Sequence, residues 1–502
     1  MAALAGTPLI ARLCAYAGAV DAPDGRRKAQ KAAVPLGGGI AVGAAALGGV
    51  VLALGIASPG NIPTSQGYLN AALPSALVLV LVGLIDDTIG LTGIYKLIGQ
   101  FLSASLLAAA GFQFESISVM GYTAPLGALG TPFSIFFCLG AINAFNLIDG
   151  ADGLASSIGA VVCLTLGIIV GLQGSVVASL ASFATAGALV GFLRFNAPPA
   201  RVYLGDTGSM LIGWLVAAVA IRCSIKEQTA VALVVPLAIC AIPILDAAAA
   251  MVRRITTGQS VFTADRGHLH HALLLRGWSV GQTASLAAGL TAITCAGATA
   301  SFLTQNEFYA IASIAGVVVT LVAARIFGHA EVALVRGHAR IFAGRVLRRV
   351  LPQGQSPKAP LVQSVQVQGR REWSILWDAV REAAVTHNLA SVRLNVNIPH
   401  LHESFFANWS APNAGERESS WRMALPLTYG DRSVGRLLLT GHGSERNLAQ
   451  MQQMLEYLEP MEAEIARILE ESQADRAPAA RPVSSNRRRG VEVGYAVAAD
   501  HY

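Results

Sequence analysis

The stretch GTPFSIFFCLGAINAFNLIDGADGLASSIGAVVCLTLGIIVGL, residues 130–172, decides the fold. It holds two apolar runs, 130–147 and 153–172, each near the ~20 residues that carry a helix across ~30 Å of hydrocarbon. Crowded into their junction are Asn143, Asn146, Asp149 and Asp152. Carboxylates are costly inside a bilayer, so such a junction belongs at a membrane surface or beside a polar cavity. Similar runs extend outward in both directions: 36–57, 70–86, 95–111, 175–194, 208–224, 229–249, 282–303 and 307–327, with a short additional helix at 5–19. The pattern predicts an all-α polytopic membrane protein of about 10 to 11 transmembrane helices. A small cytoplasmic α+β domain follows.

Composition agrees. The 502 residues are 53% hydrophobic and 13% charged, against about 25% charged in ordinary soluble proteins. The deficit ends near residue 328, which divides the chain into a membrane domain (1–328), a basic juxtamembrane segment (329–354), an α+β domain (355–471) and a disordered tail (472–502). Much of the net charge of +6 sits in Arg26, Arg27, Lys28 and Lys31 and in Arg336, Arg340, Arg345, Arg348 and Arg349. Basic clusters flanking spans suit an anionic leaflet. No long basic stripe with interleaved aromatics is present, so nucleic acid is not an expected partner. The six cysteines lie in or beside the apolar part without CxxC spacing, which argues against a disulfide framework or zinc site. Arg12 interrupts the first apolar stretch, and no cleavable signal peptide is expected.

With the basic loop 21–35 placed in the cytoplasm, alternation puts loops 86–95, 147–153, 195–207 and 250–281 on the same side. Those loops carry the chemistry. GLIDDTIGL brings Asp86 and Asp87, followed by Lys96 and Gln100. FNAPPARVYLGDTGSM brings Asn196, Asp206 and Ser209, and DRGHLHHALL brings Asp265, Arg266, His268, His270 and His271. Asp246 lies ahead of Arg253 and Arg254. Any single Asp here reads most simply as a helix cap or an interfacial charge. Six of them, Asp86, Asp87, Asp149, Asp152, Asp206 and Asp246, on one predicted side favour a shared polar site. Paired carboxylates supply hard oxygen ligands for Mg²⁺, with Mn²⁺ an alternative, while Lys96 and the imidazoles suit phosphate oxygens. The set is the equipment of phosphoryl transfer, where positioning and charge stabilisation dominate.

Competing readings are weaker. A transporter with a cytoplasm-facing acidic site should carry acids near mid-depth within related repeats, and no internal repeat is evident. Asp86-Asp87-Thr88-Ile89-Gly90 lacks the last acid of DDxxD isoprenoid enzymes. His268 and His271 would share a face on a helix, yet no HExxH accompanies them.

Taken in order and spacing, these motifs from about Thr7 to Ser279 resemble the polyprenyl-phosphate N-acetylhexosamine-1-phosphate transferases, the glycosyltransferase family 4 type. DAPDGRRKAQKAAVPLGGGIAV is similar to that family's first cytoplasmic loop, with Gln30 where the family has a histidine. DRGHLHH resembles the N-acetylglucosamine subgroup rather than the muramoyl-pentapeptide enzymes. The resemblance implies attack of undecaprenyl phosphate on a UDP-N-acetylhexosamine with Mg²⁺ present, which releases UMP and starts a lipid-linked cell-envelope glycan. It implies catalytic roles for Asp86, Asp87 and Lys96 and metal binding by Asp206 with Asp87. Substrate contacts would come from Asn143, Asn146, Asp149, Asp152, Asn196, Arg266, His268, His270 and His271. The expected setting is the bacterial inner membrane, with a homodimer as the oligomeric expectation.

Beyond the membrane part, VRGHARIFAGRVLRRVL (335–351) reads as a helix on the inner leaflet, and REWSILWDAVREAA as an amphipathic helix. SVRLNVNI, WRMALPLTY and VGRLLLTG read as strands, and Leu448 to Ile465 as a closing helix. LPLTYGDRSVGRLLL faintly resembles the end of a GAF-type sensor fold; a partner of unknown kind is expected. His400 and His402 read as surface histidines.

Overall fold

The computed structural model describes residues 1–22, 33–56, 62–226, 233–260, 265, 267–350, 360–369, 372–398, 401–412, 420–429 and 432–442, with Glu456 and Arg467. Arg26, Arg27, Lys28, Gln30, Lys31, Arg266, His400, the tail and nearly all of the expected closing helix lie outside the described residues.

The chain is a multi-pass membrane protein. Among the described residues seven helices are long and apolar enough to cross a bilayer, and three shorter apolar helices accompany them. In order the chain forms α1 (Ala2–Tyr16), α2 (Gly38–Ile56), α3 (Ile62–Ile89), α4 (Gly93–Ala109), α5 (Gly130–Ile148), α6 (Leu154–Leu172), α7 (Val176–Asn196) and α8 (Gly205–Lys226). It continues through α9 (Val234–Ile239), α10 (Ala241–Thr257), α11 (Leu269–Leu274), α12 (Val280–Thr304), α13 (Phe308–Ala323) and α14 (His329–Val350). Two short hairpins, β1 (Val20–Asp21) with β2 (Val34–Pro35) and β3 (Ser116–Val119) with β4 (Tyr122–Pro125), lie in the connections.

Two expected spans differ. The run 229–249 is not one helix: it breaks at Cys240 between α9 and α10. Pro243 lacks an N–H, and its ring would meet the carbonyl of Ile239 in a continuous helix, so the helix restarts. The run 70–86 is overrun, because α3 continues to Ile89 and keeps Asp86 and Asp87 inside its last turns.

α6 and α8 are enclosed for most of their apolar length, whereas α2, α3 and α7 leave most of theirs uncovered. Val51, Leu52, Leu77 and Val190 are exposed on those outer helices. Helices that are apolar on every face need hydrocarbon outside as well as core inside. Lipid supplies the outer contact.

Among the described residues, the part after α14 forms a five-stranded antiparallel sheet in the order β5-β7-β6-β9-β8: β5 (Leu361–Gln368), β6 (Ser391–Ile398), β7 (Glu403–Ser410), β8 (Ser420–Tyr429) and β9 (Arg432–His442). Helix α15 (Trp373–Thr386) packs Trp373, Leu376, Trp377 and Val380 onto one face, against Val392, Leu394 and Val396. The opposite face buries Phe406 with Ala330 and Leu334 of α14. β7 is therefore buried along its whole length. ESFFANWS lacks an alternating pattern because both of its faces are covered, and its reading as a strand escapes periodicity.

Candidate active site

Helices α3, α4, α5 and α8 deliver their polar ends to one place. Asp87 accepts from the N–H of Asp206 at 2.8 Å and from the N–H and Oγ1 of Thr207 at 3.1 and 2.7 Å. The first N–H groups of a helix lack partners within it. Asp87 satisfies those of α8 from across the bundle, and the positive end of α8 favours its charge. Gly205 has φ +74°, and a Cβ there would stand 2.7 Å from Asp87 Oδ2. The turn entering α8 needs glycine on both counts.

Asp86 serves a different group. One of its oxygens accepts from Leu91 N at 2.6 Å, and the other pairs with Lys96 Nζ at 2.5 Å. Lys96, in the first turns of α4, also bonds Oδ2 of Asp206. The other Asp206 oxygen accepts from Asn146 Nδ2 at 3.0 Å, and the same amide stands 3.1 Å from Ser209 Oγ. A continuous polar chain thus runs through Asp86, Lys96, Asp206 and Asn146, drawn from four helices. Asn143 stands one turn before Asn146 on α5, donating to Gln100 Oε1 at 2.7 Å and to Leu139 O at 2.8 Å.

Asp149 follows the end of α5. It is half-buried by exposed area but deeply set among protein atoms, and loss of solvation pushes its carboxyl well above the usual carboxylate range. The charges of Asp206, Asp87 and Asp152 push the same way. Asp152 and Asn196 shape the neighbouring loop. Asp152 Oδ2 accepts from Ala200 N at 2.9 Å, while buried Asn196 accepts from Ser156 Oγ at 2.8 Å and donates to Val202 O at 3.0 Å.

The histidine motif forms the second half. Buried Asp246, on α10, holds His268 Nδ1 at 2.7 Å and accepts from Leu269 N at 2.7 Å. His268 lies just ahead of α11 and so does not share a helical face with His271. Its ring instead stacks on His270 at 5.9 Å between centroids, and His270 meets His271 at 4.2 Å. Burial lowers His270 to about 3, with His271 contributing, so the ring is neutral at physiological pH. Neither of its buried ring nitrogens has a hydrogen-bond partner among the described residues. A Cβ on Gly150 would lie 2.5 Å from His270 Nε2. The glycine lets the imidazole touch the Asp149–Gly150 turn, which makes the carboxylates and histidines one site.

Sequence reading missed three contributors. Thr207 locks Asp87; Arg253 pairs with Asp265 at 2.8 Å and with Glu331 of α14. His402 is the third. It was expected on the surface, but it is only partly exposed, and its ring meets His271 edge-on at 5.4 Å. His402, just ahead of β7, rests against the histidine motif. No local pattern signals a contact across 131 residues of chain.

Among the described residues no group of three His, Cys, Asp or Glu side chains could hold a metal ion unaided. Mg²⁺ commonly takes one or two carboxylates and completes its shell with water and substrate phosphates. Asp206 and the like-charged crowding that raises Asp149 fit that demand.

Comparison with known proteins agrees with this geometry. Residues 69–224, which include Asp86 through Asp206, match the family model described as glycosyl transferase family 4. The chain is 32% identical over 292 residues to the undecaprenyl-phosphate alpha-N-acetylglucosaminyl 1-phosphate transferase of Escherichia coli K12, covering 55% of this chain and 75% of that protein. It is 30% identical over 275 residues to the probable undecaprenyl-phosphate N-acetylglucosaminyl 1-phosphate transferase of Bacillus subtilis strain 168, covering 54% and 74%. The decaprenyl-phosphate N-acetylglucosaminephosphotransferase of Mycobacterium leprae is 31% identical over 271 residues, covering 46% and 67%. With likeness over three quarters of a relative's length and the motif residues assembled in one place, the chain belongs to glycosyl transferase family 4.

Proposed function

We propose that the protein transfers N-acetylglucosamine 1-phosphate from UDP-N-acetylglucosamine to a polyprenyl phosphate, releasing UMP, at the cytoplasmic face of a bacterial inner membrane. The observation that carries this is the chain Asp86–Lys96–Asp206–Asn146, where a single lysine sits between two carboxylates at the ends of apolar helices. The names of the E. coli and B. subtilis relatives supply the sugar and the lipid. Arg194 and Arg201, in or beside the same junctions, support cytoplasmic placement by the positive-inside rule.

In this reading an oxygen of the lipid phosphate attacks the sugar-proximal phosphorus. A new P–O bond forms as the bond to UMP breaks, and UMP leaves with the electron pair. Lys96 lies where it stabilises charge on the phosphate oxygens, and a carboxylate of the Asp86/Asp206 pair accepts the lipid phosphate's last proton. Asp87 serves the reaction by fixing the start of α8 and hence Asp206. His270 and His271 line the donor side, where the His270 nitrogens, without a partner among the described residues, meet sugar or phosphate oxygens. Mg²⁺ held by Asp206, with Asp149 near, would neutralise the diphosphate.

Purified protein in nanodiscs with undecaprenyl phosphate and Mg²⁺ is expected to release UMP from UDP-N-acetylglucosamine in preference to UDP-N-acetylgalactosamine or UDP-glucose. Absence of UMP release with every UDP-sugar would overturn the proposal.

A further inference from the structure

We propose that the C-terminal unit is a working part of the donor site: His402, just ahead of β7, is a positioning residue for His271, and the docked sheet sets donor affinity through it. The inference rests on the reading that the histidine motif faces the donor.

Three observations carry it. The first is a row of imidazoles, His268 on His270 at 5.9 Å, His270 on His271 at 4.2 Å and His271 on His402 at 5.4 Å. Its last member comes from a segment 131 residues beyond the motif. The 61° angle between the His271 and His402 rings is the edge-to-face arrangement that aromatic rings favour. A ring held this way loses rotamers it would otherwise sample, so His271 is fixed before any ligand arrives.

The second is how the sheet is held. Along β6, Val392, Leu394, Val396 and Ile398 point into the sheet's own core, which turns Asn395 and Asn397 outward. Asn395 Nδ2 donates to Thr257 O at 2.8 Å, and Asn397 Nδ2 donates to Gln259 Oε1 at 3.2 Å. Both partners are at or just past the end of α10, the helix whose Asp246 holds His268. β6 and the histidine motif are thus tied to one helix.

The third is a brace on the opposite side. Glu331 of α14 pairs with Arg253 of α10, and Gln363 of β5 donates to Leu334 O of α14 at 3.1 Å. Arg253 also holds Asp265, three residues before His268. A sheet tethered only by its linker would need none of these polar contacts. Together they fix the sheet to α10 and α14, on the N-terminal side of the segment that presents the imidazoles.

The chemistry predicts a specific split. Removing the His402 ring takes away one of the contacts that hold His271 without touching Asp86, Lys96 or Asp206. In the full-length enzyme, His402→Ala is expected to raise KM for UDP-N-acetylglucosamine by ~2- to 10-fold, the range an edge-to-face pair supplies. Expected kcat stays within about twofold, with KM for the lipid phosphate unchanged. His402→Phe, which keeps a planar ring, restores most of the donor KM. Hydrogen exchange over residues 268–274 is expected to quicken in His402→Ala. A wild-type donor KM in His402→Ala, no rescue by His402→Phe, or unchanged exchange in that loop would each overturn the inference. A wild-type enzyme that releases no UMP strikes the functional reading instead, and the exchange measurement still decides the docking.

Discussion

Thr207 gives both its backbone N–H and its hydroxyl to the carboxylate of Asp87, at 3.1 and 2.7 Å. One of the two adjacent aspartates is thereby committed to helix geometry, and the other, Asp86, meets Lys96. Adjacent residues on a helix point about 100° apart, so a DD pair serves two neighbours and not one ligand.

That division predicts different phenotypes along the pair. Asp87→Asn places an amide N–H against donors of α8 and is expected to destabilise the folded protein by about 1–3 kcal/mol, the usual cost of spoiling a buried hydrogen-bonded group. Thermal unfolding in detergent measures it. Thr207→Val should move in the same direction by less. An unchanged melting temperature in both variants would contradict the anchoring role.

Asp206→Asn and Lys96→Ala are expected to lower turnover at least about 100-fold while insertion and folding persist, as for removal of a group that stabilises transition-state charge. UMP release at saturating substrates reads this directly. Near-normal rates would remove either residue from the catalytic set.

Acid stability should report on His270. Its folded value is about 3 and its ordinary value 6.5. Between these the unfolded chain binds a proton that the folded chain refuses, so stability falls as pH drops through that window and is unaffected above it. The full loss is on the order of a few kcal/mol. Asp149 acts oppositely: its raised carboxyl contributes stability that is complete below the ordinary carboxylate value and is lost as pH rises through the folded value. Melting temperatures of wild type and His270→Leu compared from about pH 7.5 to 4 separate the two. Parallel curves would contradict the assignment to His270.

Chelation provides a further check. EDTA is expected to abolish UMP release and added Mg²⁺ to restore it, with Mn²⁺ a partial substitute. Full activity in EDTA would dismiss the metal from the proposal.

Much was legible before any coordinates. Among the described residues the apolar runs place the seven long apolar helices and the three shorter ones, and the aspartate motifs fall at their ends, because both depend on composition repeated over whole segments. The break at Cys240 was also written in Pro236 and Pro243, though hydropathy alone masks it. By contrast, β7 was hidden because two covered faces erase alternation, and no local pattern signals the bonds of the Asn196 amide to Ser156 and Val202.

The sequence by itself determined that this chain spans a membrane and that its clustered aspartates, lysine and imidazoles fall near helix ends. Those properties are local: each follows from side-chain chemistry and spacing within about twenty residues. Only the tertiary structure decided which aspartate anchors α8, which shares Lys96, and that His402 reaches the histidine motif. Such pairings depend on how helices and a distant sheet pack against one another, and a carboxylate's role is set by the donors that packing brings to it.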